Sequence, residues 1–188
     1  MKMTLSAVVL SLALALPALA QEKEVAGVKF PATLSVDGKE LKLNGAGLRK
    51  KVFFKVYAVG FYLENTTQDG AQAISSDQTK VVRMSMLRDL EKEKITEAIS
   101  EGVEKNNKAQ MPALKDRLET FNKAIPDLKK GDELTLTYVP GKGTRVQSKG
   151  GQEISVEGKD FADALFGVWL GSNPVDDGLK KGMLGKND

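Results

Sequence analysis

The sequence predicts an α+β fold, in which an antiparallel sheet packs against separate helices. Two observations lead to this class. Strand-like segments separated by turn residues occupy the chain up to residue 87 and again between residues 134 and 156. Segments with the helical period follow each of these two groups of strands. The resulting order of strands, two helices, strands and two helices is typical of α+β proteins.

The first twenty residues have the pattern of a secretory signal peptide. Lys2 precedes an apolar run from Leu5 to Leu16, and Ala18-Leu19-Ala20 forms a small-residue cleavage site. An uncleaved anchor is the alternative, but the run is short for a bilayer and Pro17 follows it. We therefore expect a signal peptide at residues 1–20, one domain at residues 21–188, and a periplasmic or secreted protein.

Composition excludes several classes of function. The chain has 28 Lys and Arg side chains against 25 Asp and Glu, and the two signs are interleaved without the basic stripe of a nucleic-acid-binding protein. After the signal segment no stretch reaches eighteen apolar residues, so we expect no stable membrane insertion. Cysteine and histidine are absent, which excludes thiolate catalysis and the commonest metal ligand. We expect no metal and no cofactor.

The first half of the mature chain reads as antiparallel strands. Residues 25–30 and 32–36 are short strand candidates, and Asp37-Gly38 predicts a hairpin turn into a strand at residues 39–43. Residues 52–63 form a long apolar strand candidate, which we place centrally in the sheet. Gly60 within it predicts a bulge or a close approach of another segment.

The second half begins with a strand and two helices. Residues 81–87 predict a strand whose Met84 and Met86 either line an adaptable pocket or fill gaps in the core. Apolar residues recur with the helical period after residue 89, and a second helix is predicted from Pro112 until Pro126 stops it.

A plain meander of three strands follows, at residues 134–139, 144–148 and 152–156. An apolar helix then runs from Phe161 to Trp169 and ends at Gly171. Pro174 is expected to open a last short helix that continues through Leu179.

Three separate segments resemble the chalcone isomerase-like family. The first is residues 44–64, which contain Gly-Ala-Gly-Leu-Arg-Lys-Lys-Val-Phe-Phe-Lys-Val-Tyr-Ala-Val-Gly-Phe-Tyr-Leu. The second is Lys-Ile-Thr-Glu at residues 94–97, and the third is residues 161–185, with Trp-Leu-Gly-Ser-Asn-Pro at their core. The resemblance implies a large antiparallel sheet with a layer of helices on one side and a ligand between them. Some members of this family are enzymes, and others only bind an acyl ligand.

The resemblance also implies which residues act. The family's guanidinium corresponds to Arg49, and Tyr57 stands where the plant enzymes have threonine and is similar to the fatty-acid-binding members. The enzymes' tyrosine, asparagine and late threonine correspond to Glu91, Ala98 and Val168. Because the polar groups needed for ring closure are missing, we expect no catalytic residue, with Ala98 and Val168 lining a pocket for a hydrocarbon tail.

The leading hypothesis is a non-catalytic binder of a fatty acid or a similar amphipathic carboxylate. Arg49 would pair with the carboxylate and Tyr57 would donate a second hydrogen bond. A straight strand would separate these two residues by about 26 Å, so the chain must reverse or bend between them.

Two other functions stay open. One is a chalcone isomerase-type intramolecular lyase, in which Arg49 stabilises an enolate and Tyr57 is the acid. The other is a structural domain that binds a protein partner. Each site residue also has a purely structural interpretation: Arg49 as a surface arginine and Tyr57 as a tyrosine of the sheet core. We expect Trp169 to belong to the core rather than to a pocket wall.

Overall fold

The computed structural model describes residues 22–186, so the predicted signal peptide at residues 1–20 lies outside the described part of the chain. The strands within that part are β1 (Lys23–Val25), β2 (Val28–Phe30), β3 (Thr33–Val36), β4 (Lys39–Lys51), β5 (Phe54–Leu63), β6 (Lys80–Met86), β7 (Glu133–Val139), β8 (Gly143–Ser148) and β9 (Ile154–Val156). The helices are α1 (Gly70–Ser75), α2 (Lys92–Asn106), α3 (Met111–Ala124), α4 (Lys159–Leu170) and α5 (Asp177–Met183).

The sheet is a single antiparallel meander. Its strands follow one another in chain order from β3 to β9, while β1 and β2 form a separate two-stranded hairpin. All neighbours pair antiparallel. The α+β class and the large antiparallel sheet are therefore confirmed.

The helices cover one face of this sheet. Alternate residues of β5, β6 and β7, such as Phe61, Met84 and Leu136, pack with helix residues such as Phe166 in the main core. Residues that point to the opposite face form a smaller cluster, which includes Phe30 of β2. This alternation follows from the two-residue period of a strand, and it confirms the helical layer on one side.

Glycines in β4 show why the helical layer can approach so closely. We expected a strand only to residue 43 and then a loosened turn, but β4 continues to Lys51. A Cβ on Gly45 would overlap the backbone of Gly182, and one on Gly47 would lie 3.0 Å from Leu179 Cδ1. The missing side chains let α5 lie directly on the strand, so the turn prediction was wrong.

The turn lies later, at Val52 and Phe53, where β4 reverses into β5. The strand predicted from residue 52 therefore begins at Phe54. Gly60 marks the close approach that was expected, since a Cβ there would lie 2.5 Å from Cδ1 of Phe30. The irregularities of register fall elsewhere, between Leu43 and Gly45 and between Arg49 and Lys50.

Other predicted elements are confirmed with shifted ends. The Asp37-Gly38 hairpin is present, with positive φ at both residues, and so are the meander β7–β9 and helices α2, α3 and α4. The strand predicted at residues 25–30 is present only in part, because Ala26 and Gly27 form a turn that divides it between β1 and β2. The last helix starts at Asp177 rather than Pro174, and α1 was not predicted.

One lysine is wholly buried. The Nζ atom of Lys80 donates to the carbonyl of Ile74 and lies 5.7 Å from the ring centroids of Tyr138 and Phe166. Its nearest carboxylate oxygen, Oδ1 of Asp163, is 3.9 Å away. Burial lowers the pKa of Lys80 to about 8, and the charge of Asp163 only partly opposes this shift.

No helix in residues 22–186 combines the length and the apolar character needed to cross a membrane.

Candidate functional site

A cavity of about 770 Å³ lies between the sheet and the helical layer. Its sheet wall includes Met84, Met86 and Leu134, and its helix wall includes Ile99 of α2 and Trp169 of α4. Both methionines are almost fully buried and also belong to the main core. They therefore do both things that the sequence suggested, because they fill the core and line a pocket.

Arg49 and Tyr57 stand opposite each other at this cavity. They are register partners on β4 and β5, and both line the cavity. Directly opposite residues of an antiparallel pair point to the same face of a sheet. The reversal at Val52 and Phe53 supplies the bend that the sequence required, and the two side chains share one wall.

The Arg49 side chain is already partly engaged. Its Nη1 atom donates to the carbonyl of Lys50 and, over 3.2 Å, to Oδ2 of Asp176. About a quarter of the side chain, 23%, is exposed. Within residues 22–186 these hydrogen bonds use Nη1 only, so Nε and Nη2 keep their capacity to donate.

Tyr57 is held by a tryptophan. The indole Nε1 of Trp169 donates to the Tyr57 hydroxyl oxygen across 3.1 Å. Burial raises the pKa of Tyr57, although the Trp169 hydrogen bond and the nearby charge of Arg49 oppose that shift. The phenol therefore keeps its proton at neutral pH and can donate it in a hydrogen bond.

The positions that correspond to polar residues of the plant enzymes also border the cavity. Glu91 lies immediately before α2, Ala98 lies in α2, and Val168 lies in α4. All three line the cavity. Ala98 is exposed at its edge, whereas Val168 is only 1% exposed. These places hold one carboxylate and two small apolar groups.

Cations outnumber acids around the cavity. Groups of both signs are paired: Lys129 with Asp89 at 3.2 Å, Arg49 with Asp176 at 3.2 Å and Lys94 with Glu97 at 3.6 Å. Asp127 accepts from the Lys92 backbone at 2.8 Å. The lining cations are Arg49, Lys51, Arg88, Lys94 and Lys129, and the lining acids are Asp89, Glu91 and Asp127. The rim therefore favours a negatively charged ligand group.

No group of three His, Cys, Asp or Glu residues in the described part of the chain is arranged to hold a metal ion.

Sequence reasoning missed two residues of the site. Trp169 was assigned to the core, and it also lines the cavity and holds Tyr57. Asp176 was not considered. Its Oδ1 accepts from the Leu179 backbone at 2.8 Å at the start of α5, while its other oxygen reaches Arg49. Aspartate is a preferred residue at a helix N-cap, but nothing local indicates the pairing with Arg49.

Comparisons with known proteins agree with this architecture. A family model described as chalcone isomerase-like matches residues 22–185. The crystal structure of an Arabidopsis thaliana fatty-acid binding protein is similar, with a TM-score of 0.68 and 19% sequence identity over 87% of this chain and 96% of that chain. No curated protein sequence matches the chain. With a family model matching almost every described residue, the chain belongs to the chalcone isomerase-like family.

Proposed function

We propose that the protein binds a fatty acid or a similar amphipathic carboxylate in the cavity between sheet and helices, without catalysing a reaction. One observation carries the proposal. Arg49 and Tyr57 face each other across β4 and β5 at a cavity whose walls include apolar side chains such as Met84, Met86 and Val168. A cation and a neutral phenol beside apolar surface match a ligand with one anionic end and a hydrocarbon tail.

The head group would be held by charge-assisted hydrogen bonds. Nε and Nη2 of Arg49 and the proton of the Tyr57 hydroxyl are the donors that remain available. Each hydrogen bond to a charged group contributes about 1.5–3 kcal/mol. Because Asp176 shares the guanidinium, the net contribution of Arg49 lies towards the lower end of that range.

The tail would occupy the apolar part of the cavity. The volume of the whole cavity, about 770 Å³, falls within the range of small-molecule binding sites. Each methylene moved from water into apolar surroundings contributes about 0.8 kcal/mol before ordering costs are subtracted. The flexible side chains of Met84 and Met86 can adapt to tails of different length.

The alternative isomerase function lacks support from the residues present. Ring closure onto an enone needs donors aimed at the developing oxyanion. Ala98 and Val168 offer none, which leaves Arg49 and Tyr57 as the only donors among the positions carried over from the family. A raised pKa makes Tyr57 a weaker acid. The fold shared with the Arabidopsis fatty-acid binding protein is an analogy that agrees with binding.

The direct test is to denature purified protein and identify any released molecule by mass spectrometry. Calorimetric titration of a fatty acid and of the alcohol with the same chain then isolates the head group. Arg49→Met should weaken binding of the acid about tenfold and leave binding of the alcohol nearly unchanged. Arg145→Met is the matched control, because Arg145 also pairs with an aspartate, Asp37 at 3.6 Å, and does not line the cavity.

Two outcomes would contradict the proposal. Equal loss of acid and alcohol binding in Arg49→Met would show damage to the cavity rather than loss of a charge partner. Cyclisation of a chalcone above the spontaneous rate, abolished in Arg49→Met, would support the isomerase function instead.

We also propose that the mature protein acts in the periplasm or outside the cell, because residues 1–20 have the pattern of a cleaved signal peptide. Sequencing the amino terminus of protein recovered from its native compartment tests this. A chain that begins at Gln21 is expected, and a chain that keeps residues 1–20 would contradict it.

A further inference from the structure

The tip of the β4–β5 hairpin exposes three consecutive apolar side chains. Val52 is 79% exposed, Phe53 is 94% exposed and Phe54 is 61% exposed. They are the large hydrophobic side chains that stand out as exposed in residues 22–186. Isolated exposed apolar residues are ordinary, but a contiguous group of them at a hairpin turn marks a surface that meets another apolar phase.

The backbone of this tip supports the same conclusion. Val52 has a φ of +56° in a two-residue hairpin loop, where glycine, asparagine or aspartate is normally favoured. Positive φ is unfavourable for a β-branched residue. The chain therefore places an exposed valine where both solvation and local conformation disfavour it, and residues kept under such strain concentrate at functional surfaces.

Cations surround the apolar tip. Lys50, Lys51 and Lys55 flank it and are exposed, and the Arg88 guanidinium lies 5.1 Å from the Phe54 ring centroid. Residues 45–63 contain no acidic residue. Exposed apolar side chains with lysines on both sides complement a surface that carries anionic groups above a hydrocarbon interior.

We propose that this hairpin tip docks the protein on an anionic lipid bilayer, with Val52, Phe53 and Phe54 inserted and the three lysines against the head groups. A lipid surface fits better than a protein partner, because three side chains on a two-residue hairpin loop offer far less than the roughly 800 Å² that one side of a stable protein interface buries. Insertion of such a wedge requires no complementary groove.

The position of the tip links docking to the cavity. Lys51, Val52 and Phe54 line the cavity, whereas Phe53 does not. Docking therefore turns the cationic side of the cavity towards the bilayer. If the proposed function holds, an acyl ligand could pass between membrane and cavity without crossing bulk water. Docking itself does not depend on that function.

Co-sedimentation with vesicles tests the proposal. Mature protein should bind vesicles of phosphatidylcholine mixed with phosphatidylglycerol, bind pure phosphatidylcholine vesicles much more weakly, and lose affinity as salt rises. Phe53→Ser should reduce vesicle binding about tenfold or more. Combined Lys51→Gln and Lys55→Gln should reduce binding to the anionic vesicles by about fivefold for each lysine.

The control variant removes the same charge elsewhere. Lys108 follows the carboxyl end of α2 and Lys115 lies on α3, both are exposed, and neither lines the cavity. Combined Lys108→Gln and Lys115→Gln should leave vesicle binding nearly unchanged. If this control loses as much vesicle binding as the variant of Lys51 and Lys55, then net charge alone explains the effect, and the role proposed for the lysines of the tip is wrong.

Further outcomes separate docking from ligand binding. Phe53→Ser should bind a soluble short-chain fatty acid as well as the wild type does. If neither protein binds a fatty acid, loss of vesicle binding in Phe53→Ser still supports docking. Unchanged vesicle binding in Phe53→Ser overturns the proposal. Wild-type self-association that Phe53→Ser abolishes, without vesicle binding, would assign the tip to a protein interface and also overturn it.

Discussion

The guanidinium of Arg49 and the carboxylate of Asp176 meet across 3.2 Å, although 127 residues separate them in the chain. The same carboxylate caps α5 through the Leu179 backbone and accepts from the Lys50 backbone at 3.3 Å. One aspartate therefore fastens α5 to β4 and partly neutralises the cation at the cavity. A bound carboxylate would compete with it.

Replacing Asp176 by asparagine should separate these two tasks. Asparagine caps helices as well as aspartate does, but its amide nitrogen cannot accept from Arg49 and the Lys50 backbone as Oδ2 does, so the free energy of unfolding should fall by about 1–3 kcal/mol. Losing the negative charge frees Arg49, and affinity for a fatty acid in calorimetric titration should rise by about three- to tenfold.

Asp177→Asn is the matched control, because Asp177 is the exposed neighbour in the first turn of α5. It removes the same charge without touching Arg49, and affinity should stay nearly constant. If Asp176→Asn weakens binding of the acid, then Asp176 supports the ligand rather than competing with it.

Trp169 should report on occupancy of the cavity. It is the only tryptophan of the chain, it lines the cavity, and its Nε1 atom bonds Tyr57. Titration with a fatty acid should shift or quench its emission with saturation, and Arg49→Met should move the midpoint to higher concentration. If calorimetry shows that a ligand binds but the Trp169 emission does not change, then that ligand binds outside the cavity.

Adding a methyl group to Gly45 should destabilise the fold. The new Cβ would overlap the Gly182 carbonyl and approach the Gly185 nitrogen to 2.6 Å, and backbone atoms cannot swing aside. Gly45→Ala should lower the free energy of unfolding by about 1–3 kcal/mol or more, measured by urea denaturation.

Gly167→Ala is its control. Gly167 lies within α4, and the nearest atoms to an added Cβ are 3.9 Å away, so alanine should be neutral or stabilise by about 0.5–1 kcal/mol. A Gly45→Ala variant as stable as the wild type would contradict the tight seating of α5 on β4.

Lys80 should make stability depend on pH. Its pKa is about 8 in the folded protein and near 10.5 when unfolded, so between these values the unfolded chain binds more protons and stability rises with pH. The rise cannot exceed about 1.4 kcal/mol per pH unit. Urea denaturation should show it between about pH 8 and pH 9.5, below the range where tyrosines of the unfolded chain ionise.

The comparison variant is Lys80→Met, which keeps an unbranched chain of similar length without the charge. Its stability should rise less over the same interval, and it should exceed the wild type most clearly below pH 8, where the buried charge is fully present. Parallel curves for the two proteins would assign the pH dependence to other groups.

The sequence predicted those parts of the fold that depend on local patterns. The Asp37-Gly38 hairpin, the β7–β9 meander and the amphipathic helices α2 and α3 each carry their own signals in periodicity or turn residues. Helix α1 has only six residues, which is too short for a helical period to be recognised.

The errors arise where distant contacts decide. Glycine can signal either local freedom or a close neighbour, and the neighbour of Gly45 is Gly182, which no local pattern connects to it. The chain reverses at Val52, although valine is unusual in such a turn. The sequence therefore showed that the chain must bend between Arg49 and Tyr57, but it did not show where the bend lies. The pairing of Arg49 with Asp176 is equally non-local.

Helix α5 has a consequence for how the polypeptide matures. Residues 177–183 cover the bare backbone of a strand formed by residues 39–51, so this contact can form only after residue 183 has been synthesised. During synthesis from the amino terminus, that strand stays uncovered while the more than 120 residues between it and α5 are added. A chain that stops before residue 177 would leave the glycine-containing part of this strand without the helix that covers it.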